Sequence, residues 1–238
     1  LPARLRRTRL IMATLILVRH ARTAETGSVL SGRTKGIPLS AEGVREAKLL
    51  AERLSSVPLA GIVSSPMQRC IETVDAVRST RAANVPARPN VEIDERLTEV
   101  DYGKWTGKQL RTLAKDPLWS TVQRQPSAMR FPEGESLRAA ATRGSEAIRE
   151  WNARFKDDEI WLAASHGDII KAIVSEATGA PLDLFQRIAV DPASITVIRF
   201  GSERPTVVRL NESAAGIEAL FAPRERRRSL LGRLRGGN

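Results

Sequence analysis

Short apolar runs alternate with helical patterns along this chain, and this alternation constrains its fold more than any other feature. Five runs are of the buried-strand type: residues 15–18, 60–63, 160–164, 194–200 and 206–210. Apolar residues recur at helical spacing between them, after an N-cap position at Ser40 and again from about Ser136. Because strands that alternate with helices form parallel sheets, we predict one three-layer α/β domain with helices on both faces of a mostly parallel central sheet.

Local patterns give predictions for the segments between the strands. The apolar face of the first helix is assigned five residues: Val44, Ala47, Leu50, Ala51 and Leu54. Pro66 is placed in the first turn of the next helix, where a missing N–H costs nothing. Residues 81–133 contain five of the 13 prolines and predict loops and short helices.

The net charge of +11 is concentrated in the two terminal segments. Residues 1–9 contain four arginines and no acidic residue, and residues 215–238 contain six arginines and two glutamates. No aromatic residue is interleaved with the arginines of 224–235 and no nucleic-acid-binding motif accompanies them, so nucleic-acid binding is not expected. We predict a disordered basic extension at 1–11, upstream of a natural start at Met12, a folded domain at 12–213 and a basic tail at 214–238.

The cysteine and the apolar stretches limit the cellular context. The single cysteine, Cys70, cannot form an internal disulfide, so nothing requires an oxidising compartment. No apolar run reaches the roughly 18 residues that a membrane-spanning helix needs. The stretch at 10–18 leads directly into Arg19 and is predicted to be a core strand, not a signal peptide. We therefore expect a cytoplasmic protein, with its oligomeric state left open.

Both histidines of the chain follow predicted strands. His20 follows the first strand, directly after Arg19, and His166 follows the strand at 160–164. Arg69 follows the strand at 60–63 and falls in the first turn of a helix. Because ligands gather at the carboxyl ends of strands in open α/β sheets, we expect these four side chains in one crevice.

Two imidazoles and two guanidiniums suit phosphoryl transfer. Arginine binds phosphate oxygens through a planar fork, a neutral histidine can act as the nucleophile, and a protonated second histidine can donate to the transferring oxygens. Glu99 is the candidate acid that protonates the leaving oxygen, and Asp168, close to His166, is the competing candidate. Two histidines and one cysteine without ligand spacing do not predict a zinc site.

The motifs that hold these residues resemble those of the histidine phosphatase superfamily, also called the phosphoglycerate mutase-like superfamily. Residues 17–23, Leu-Val-Arg-His-Ala-Arg-Thr, resemble its nucleophile motif, with Ala21 in place of the usual glycine. Four later segments resemble the motifs that follow, in the family's order: residues 32–43, 64–73, 97–107 and 165–167. The resemblance extends from about residue 14 to residue 200.

The resemblance implies a role for each site residue. It implies that His20 is phosphorylated, that Arg19, Arg69 and His166 clamp the phosphoryl group, and that Glu99 acts first as acid and then as base. It also implies that no metal is needed. Further substrate contacts are assigned to three residues within or beside these motifs: Thr26, where many relatives have asparagine, Gly32 and Gly167.

Phosphorylated His20 has two possible fates. Attack by water makes the enzyme a phosphatase, and attack by a substrate hydroxyl makes it a mutase with 2,3-bisphosphoglycerate as cofactor. Glycolytic mutases of the family have an Arg/Lys-rich segment where residues 115–132 have only three basic residues, and residues 131–136 resemble the broad-specificity phosphatases. We therefore predict a phosphatase that needs no cofactor and acts on a small phosphorylated metabolite, with the mutase as the alternative.

A binding module that kept the pocket but lost turnover is a hypothesis from another class. Such a module would lack His20, Arg69 or His166, and this chain has all three. The sequence therefore favours an active enzyme.

Overall fold

The computed structural model describes residues 11–214, which fold around a central six-stranded sheet. The strands are β1 (Ile11–Arg19), β2 (Leu59–Ser64), β3 (Val91–Ile93), β4 (Ile160–Ser165), β5 (Ile195–Gly201) and β6 (Thr206–Glu212). They lie in the order β3-β2-β4-β1-β5-β6, and β3, β2, β4 and β1 are parallel. β5 runs antiparallel to both of its neighbours, β1 and β6. The predicted mostly parallel sheet is confirmed, with the carboxyl ends of β2, β4 and β1 side by side.

Helices cover both faces of the sheet. Within residues 11–214 they are α1 (Ala41–Arg53), α2 (Gln68–Ser79), α3 (Leu110–Leu113), α4 (Trp119–Arg124), α5 (Leu137–Asn152) and α6 (Gly167–Thr178). Four 3₁₀ turns lie at Glu95–Leu97, Gly103–Trp105, Pro126–Ala128 and Leu182–Arg187. α1 and α2 share one buried cluster with the sheet, and α5 and α6 share another on the opposite face. The three-layer architecture is therefore as predicted.

β1 explains why the central strands are apolar along their whole length. Ile16 and Val18 pack in the cluster of α1 and α2, whereas Leu15 and Leu17 pack in the cluster of α5 and α6. Successive side chains of a strand point to opposite faces, so a strand covered on both sides needs an apolar residue at every position. This burial fixes where β1 ends and therefore where Arg19 and His20 emerge.

Side-chain caps begin α1 and α5 at the predicted residues. Ser40 accepts a hydrogen bond from the backbone N–H of Gly43, and Ser136 accepts one from the backbone N–H of Ala139. Each hydroxyl satisfies one of the N–H groups that a helix start leaves without a partner.

Two local predictions are wrong. Val44 is 57% exposed, because the first turn of α1 approaches the rest of the protein through Gly43, where a Cβ would stand 1.9 Å from the carbonyl oxygen of Arg22. Pro66 precedes α2 instead of lying in its first turn, because Met67 has extended backbone angles and is the N-cap. Arg69 still falls in the first turn of α2, so the site is not displaced.

The predicted terminal segments lie mostly outside the described residues. Residues 1–10 and 215–238 are not described, and they include nearly all of the predicted basic extension and tail. β1 begins at Ile11, so the last residue of the predicted extension belongs to the strand.

Candidate active site

His20 lies at the carboxyl end of β1 and is 6% exposed. Its Nδ1 is 2.8 Å from the carbonyl oxygen of Ala21. Because a carbonyl oxygen only accepts hydrogen bonds, Nδ1 carries the proton and Nε2 carries the lone pair. Burial, together with the charges of Arg69 and Arg19, lowers the pKa of His20 well below its usual value. The ring is therefore neutral at pH 7, and its Nε2 can act as a nucleophile.

Two guanidinium groups border His20, and each has a nitrogen without a partner in the described part of the chain. Arg19 donates from Nη1 to the carbonyl oxygen of Val190 at 2.6 Å, and Arg69 donates from Nη2 to that of Gly32 at 2.7 Å. Arg19 Nε and Arg69 Nη1 are buried and have no hydrogen-bond partner among residues 11–214. Buried donors without partners are costly, and the oxygens of a phosphoryl group would satisfy both.

His166 is the N-cap of α6 at the end of β4 and is completely buried. Its Nδ1 is 3.2 Å from Arg69 Nη2, and its Nε2 is 2.8 Å from Ser65 Oγ. Because guanidinium nitrogens only donate, Nδ1 accepts and Nε2 carries the proton. Burial and the charge of Arg69 lower the pKa of His166 well below its usual value.

The structure brings His166 next to His20, with ring centroids 5.2 Å apart. Its Nδ1 is occupied by Arg69, so a direct contact between His166 and a phosphoryl group stays a prediction. In the observed arrangement His166 orients Arg69.

Glu99 lies in the segment between β3 and α3, and its Oε1 accepts a hydrogen bond from the backbone N–H of Val100 at 3.0 Å. Burial, and then the charge of Asp168, raise the pKa of Glu99 to about 7, against the opposing effects of Arg69 and Arg19. A carboxyl group that titrates near neutral pH can both give and take a proton.

Two arginines hold the backbone of Glu99 in place. Arg143, on α5, donates to the carbonyl oxygens of Arg96, Thr98 and Glu99 at 2.5, 2.7 and 3.1 Å. Arg33 donates from Nε to the same oxygen of Glu99 at 2.9 Å. The sequence analysis missed Arg143, because a lone arginine on a helix carries no sign of the loop it will contact.

The cavity that these groups border has a volume of about 340 Å³. Its polar lining falls into two groups. Arg19, His20 and Arg69, whose charges act on one another, are called the phosphoryl end. Glu99, Tyr102 and Lys171, each coupled to Asp168 by charge or by a hydrogen bond, form with Asp168 what is called the leaving-group end. The cavity therefore has room for a phosphoryl group and for the alcohol part of a small ester.

Three residues were predicted to bind substrate without a catalytic role, and all three line this cavity: Thr26, Gly32 and Gly167. Gly32 has φ +50°, and a Cβ there would stand 2.9 Å from Cδ2 of Tyr102, so the position favours glycine. Gly167 begins α6, close to the Arg19 guanidinium. Thr26 Oγ1 accepts from the backbone N–H of Thr23 at 2.9 Å. Contact between substrate and these three residues stays a prediction.

The sequence analysis missed Tyr102 and Lys171, and treated Asp168 only as a competing proton donor. Tyr102 donates its hydroxyl to Asp168 Oδ2 at 2.8 Å, and Lys171 Nζ lies 3.5 Å from Asp168 Oδ1. Burial and the charge of Asp168 raise the pKa of Tyr102 well above its usual value, so its hydroxyl keeps its proton. The three-residue spacing of Asp168 and Lys171 on one helix was the available sign.

Neither a metal-binding cluster nor a membrane-spanning helix is present among the described residues. No group of three or more His, Cys, Asp or Glu side chains in residues 11–214 is arranged to hold a metal ion. None of the helices in that range is long and apolar enough to span a membrane.

Comparison with known proteins agrees with the fold and with the motifs. A model of the histidine phosphatase superfamily, branch 1, matches residues 15–213. Phosphoserine phosphatase 1 of Hydrogenobacter thermophilus is 31% identical over 207 residues, which cover 84% of this chain and 92% of that protein. A Proteus mirabilis protein named "Probable phosphoglycerate mutase GpmB" is 28% identical over 193 residues, covering 79% and 86% of the two chains. The solved structure of Bacillus stearothermophilus YhfR matches with a TM-score of 0.75 and 27% identity, covering 85% of this chain and 98% of that one.

Proposed function

The chain belongs to branch 1 of the histidine phosphatase superfamily, and from this membership we propose that it hydrolyses phosphomonoesters through a phosphoryl group carried on His20. One observation carries the proposal. The neutral His20 presents its Nε2 lone pair beside two buried guanidinium nitrogens that have no partner in residues 11–214. A nucleophile beside two unpaired cationic donors suits a phosphoryl group, whose negative charge is spread over its oxygens.

The first half of the reaction transfers the phosphoryl group to the enzyme. His20 Nε2 attacks phosphorus, the N–P bond forms and the P–O bond to the alcohol breaks. Arg19 and Arg69 bind the phosphoryl oxygens and stabilise the charge of the transition state. Glu99, whose pKa is raised to about 7 so that a large fraction carries the proton at neutral pH, gives that proton to the leaving oxygen.

The second half returns the enzyme to its starting state. Water enters where the alcohol left, and the Glu99 carboxylate takes a proton from it as the oxygen attacks phosphorus. The N–P bond breaks, inorganic phosphate leaves and His20 is neutral again. The hydrogen bond from Nδ1 to Ala21 keeps the same nitrogen facing the substrate throughout.

The proposal requires neither a metal nor a cofactor. The charge that a divalent ion would supply comes from Arg19 and Arg69. The alternative function is a mutase, which would use the same phosphorylated His20 with 2,3-bisphosphoglycerate. The name of the Proteus relative, a probable phosphoglycerate mutase, is the observation that favours it. The name of the Hydrogenobacter relative, a phosphoserine phosphatase, supports hydrolysis.

The proposed location is the cytoplasm. Cys70 is a free, buried thiol, which fits a reducing compartment.

A turnover screen tests the proposal. The full chain is assayed for phosphate release from a panel of phosphomonoesters and for mutase activity on 3-phosphoglycerate with 2,3-bisphosphoglycerate, with and without EDTA. We expect hydrolysis that EDTA does not affect and an acid-labile, base-stable phosphoryl adduct on His20. His20→Ala should lower turnover by about 10³-fold or more, because the attacking atom is gone.

The control is the thermal unfolding of His20→Ala, which should match that of the unaltered chain. A folded His20→Ala variant that keeps more than about a hundredth of the activity would contradict the covalent mechanism. Isomerisation of 3-phosphoglycerate that is faster than its hydrolysis would favour the mutase.

A further inference from the structure

The two ends of the cavity carry opposite charge once a phosphoryl group is bound. At the phosphoryl end, a phosphoryl dianion is balanced by Arg19 and Arg69. Among the other described residues that line the cavity, the carboxylates of Asp168 and Asp191 stand against one cation, Lys171, while Glu99 must be protonated to act as the acid. The alcohol part of the substrate therefore meets a region of net negative charge.

Asp168 is placed to act on that part of the substrate. It lines the cavity, and its side chain is 20% exposed. The Tyr102 hydroxyl donates to Oδ2 of Asp168 at 2.8 Å, and this one hydrogen bond leaves other lone pairs of the carboxylate free. The charge of Asp168 also helps to raise the pKa of Glu99, so the two carboxyl groups act on the same region.

The cation at this end is already engaged. Lys171 Nζ lies 3.0 Å from Gln186 Oε1 and 3.5 Å from Asp168 Oδ1. A second anionic group on the substrate could reach the remaining N–H of Lys171 only while standing close to the Asp168 carboxylate, 3.5 Å from Nζ. Asp191, the other aspartate that lines the cavity, accepts a hydrogen bond from Asn211 Nδ2 at 2.9 Å and brings no further cation to the site.

Resting on the proposed hydrolysis, we infer that the leaving-group end selects phosphomonoesters whose alcohol part carries hydroxyl or ammonium groups and disfavours those with a carboxylate or a second phosphate. Asp168 is the residue that imposes this selection. Its free lone pairs accept from hydroxyl or ammonium donors, and its charge repels a second anion.

A matched pair of substrates tests the selection. Glycerol 1-phosphate and 3-phosphoglycerate are both small phosphomonoesters of primary alcohols, but only the second carries a carboxylate. We expect the unaltered enzyme to prefer glycerol 1-phosphate by about tenfold or more in kcat/KM, the effect of like charges a few ångströms apart in a partly buried site. Asp168→Asn should reduce this ratio by about tenfold, mainly by improving kcat/KM for 3-phosphoglycerate.

The ratio of the two kcat/KM values separates the selection between substrates from changes in the rate of the chemical step. Asp168→Asn also removes a charge that raises the pKa of Glu99, but that change affects both substrates alike and cancels in the ratio. Tyr102→Phe is the matched control, because it removes the hydrogen bond to Asp168 and keeps the carboxylate. Its ratio should stay within about threefold of the unaltered value, since the charge that repels the anion is retained.

Binding to His20→Ala, measured by calorimetry, separates the selection from the proposed function. The same preference in Kd without any turnover in the unaltered enzyme would leave the selection standing and overturn the hydrolysis. Turnover with equal kcat/KM for the two substrates would overturn the selection alone. A preference for 3-phosphoglycerate that disappears in Lys171→Gln would also overturn it, because it would make the cation the selecting group.

Discussion

The phosphoryl end of the cavity and its leaving-group end are built from different kinds of structure. Arg19 ends β1, His20 follows it, and Arg69 lies in the first turn of α2; the exposed fractions of His20 and Arg69 are 6% and 3%. Glu99 and Tyr102 belong to an irregular segment, and the side chains of Asp168 and Lys171 are 20% and 19% exposed. A strand end and a helix start therefore position the groups proposed to bind the phosphoryl group, whereas an irregular segment and α6 position the groups proposed to meet the alcohol.

This difference predicts how substitutions will behave. Changes at the phosphoryl end should affect all phosphomonoesters alike, because every substrate presents the same group there. Changes at the leaving-group end should depend on the alcohol.

Glu99→Gln should separate the two ends most strongly. An alkoxide is a poor leaving group and needs a proton, whereas p-nitrophenolate needs little help. General acid catalysis typically contributes about 10²–10⁴-fold, so hydrolysis of alkyl phosphates should fall by that order and hydrolysis of p-nitrophenyl phosphate by far less. Asp168→Asn, assayed on the same two esters, is the control for a competing donor.

The pH profile gives the same test a second readout. In the proposed mechanism the protonated form of Glu99 is the acid, so turnover of alkyl phosphates should fall as pH rises through about 7, its raised pKa. In the Glu99→Gln variant this decline should be absent. A leaving-group-dependent loss in Asp168→Asn alone would make Asp168, not Glu99, the acid.

Arg69→Gln should slow every substrate by a similar factor. Arg69 is buried at the phosphoryl end, and removal of one donor to a developing oxyanion typically costs about 10²–10³-fold. The measurement is kcat/KM for an alkyl and an aryl phosphate, with unfolding temperature as the control for fold. A loss that differs more than about tenfold between the two esters would show that Arg69 also acts on the leaving group.

Thr73→Val should weaken the phosphoryl end with the smallest effect. The fully buried Thr73 hydroxyl accepts from the backbone N–H of Ala21 at 3.0 Å and donates to the carbonyl oxygen of Arg69 at 2.7 Å. Valine keeps the shape but leaves both groups without that partner, which should lower the free energy of unfolding by about 1–3 kcal/mol in denaturant titrations.

Thr142→Val is the matched control for this change. Thr142 also bonds back along its helix, to the carbonyl oxygen of Arg138 at 3.0 Å, but it is exposed to water. It should change stability by less than about 0.5 kcal/mol. Equal losses in the two variants would show that Thr73 does not tie α2 to the loop after His20.

The sequence predicted the phosphoryl end better than the leaving-group end, for a physical reason. His20, Arg69 and His166 could be placed together because parallel strands end at one edge, and continuous apolar runs identify such strands. The neutral tautomers of His20 and His166, and the contact between His166 and Ser65, could be assigned only from distances in the structure.

The leaving-group end depends on contacts between segments far apart in the chain. Tyr102 meets Asp168 across 66 positions, and Arg143 reaches the backbone of Arg96 across 47. No periodic pattern encodes such pairs, which form only when the segment before α3 packs on α5 and α6. The exposure of Val44 could not be predicted from periodicity for the same reason, since it depends on how closely Gly43 approaches Arg22.

The attachment of Glu99 through backbone carbonyls has a consequence for how such an enzyme can diverge. Arg143 and Arg33 hold oxygens of the main chain, which every amino acid possesses, and not particular side chains. A substitution in that segment that preserves the packing of its buried side chains therefore leaves these contacts to the Glu99 backbone intact. A lineage built on this scaffold can exchange the alcohol it accepts, one substitution at a time, while it inherits the phosphorus chemistry unchanged.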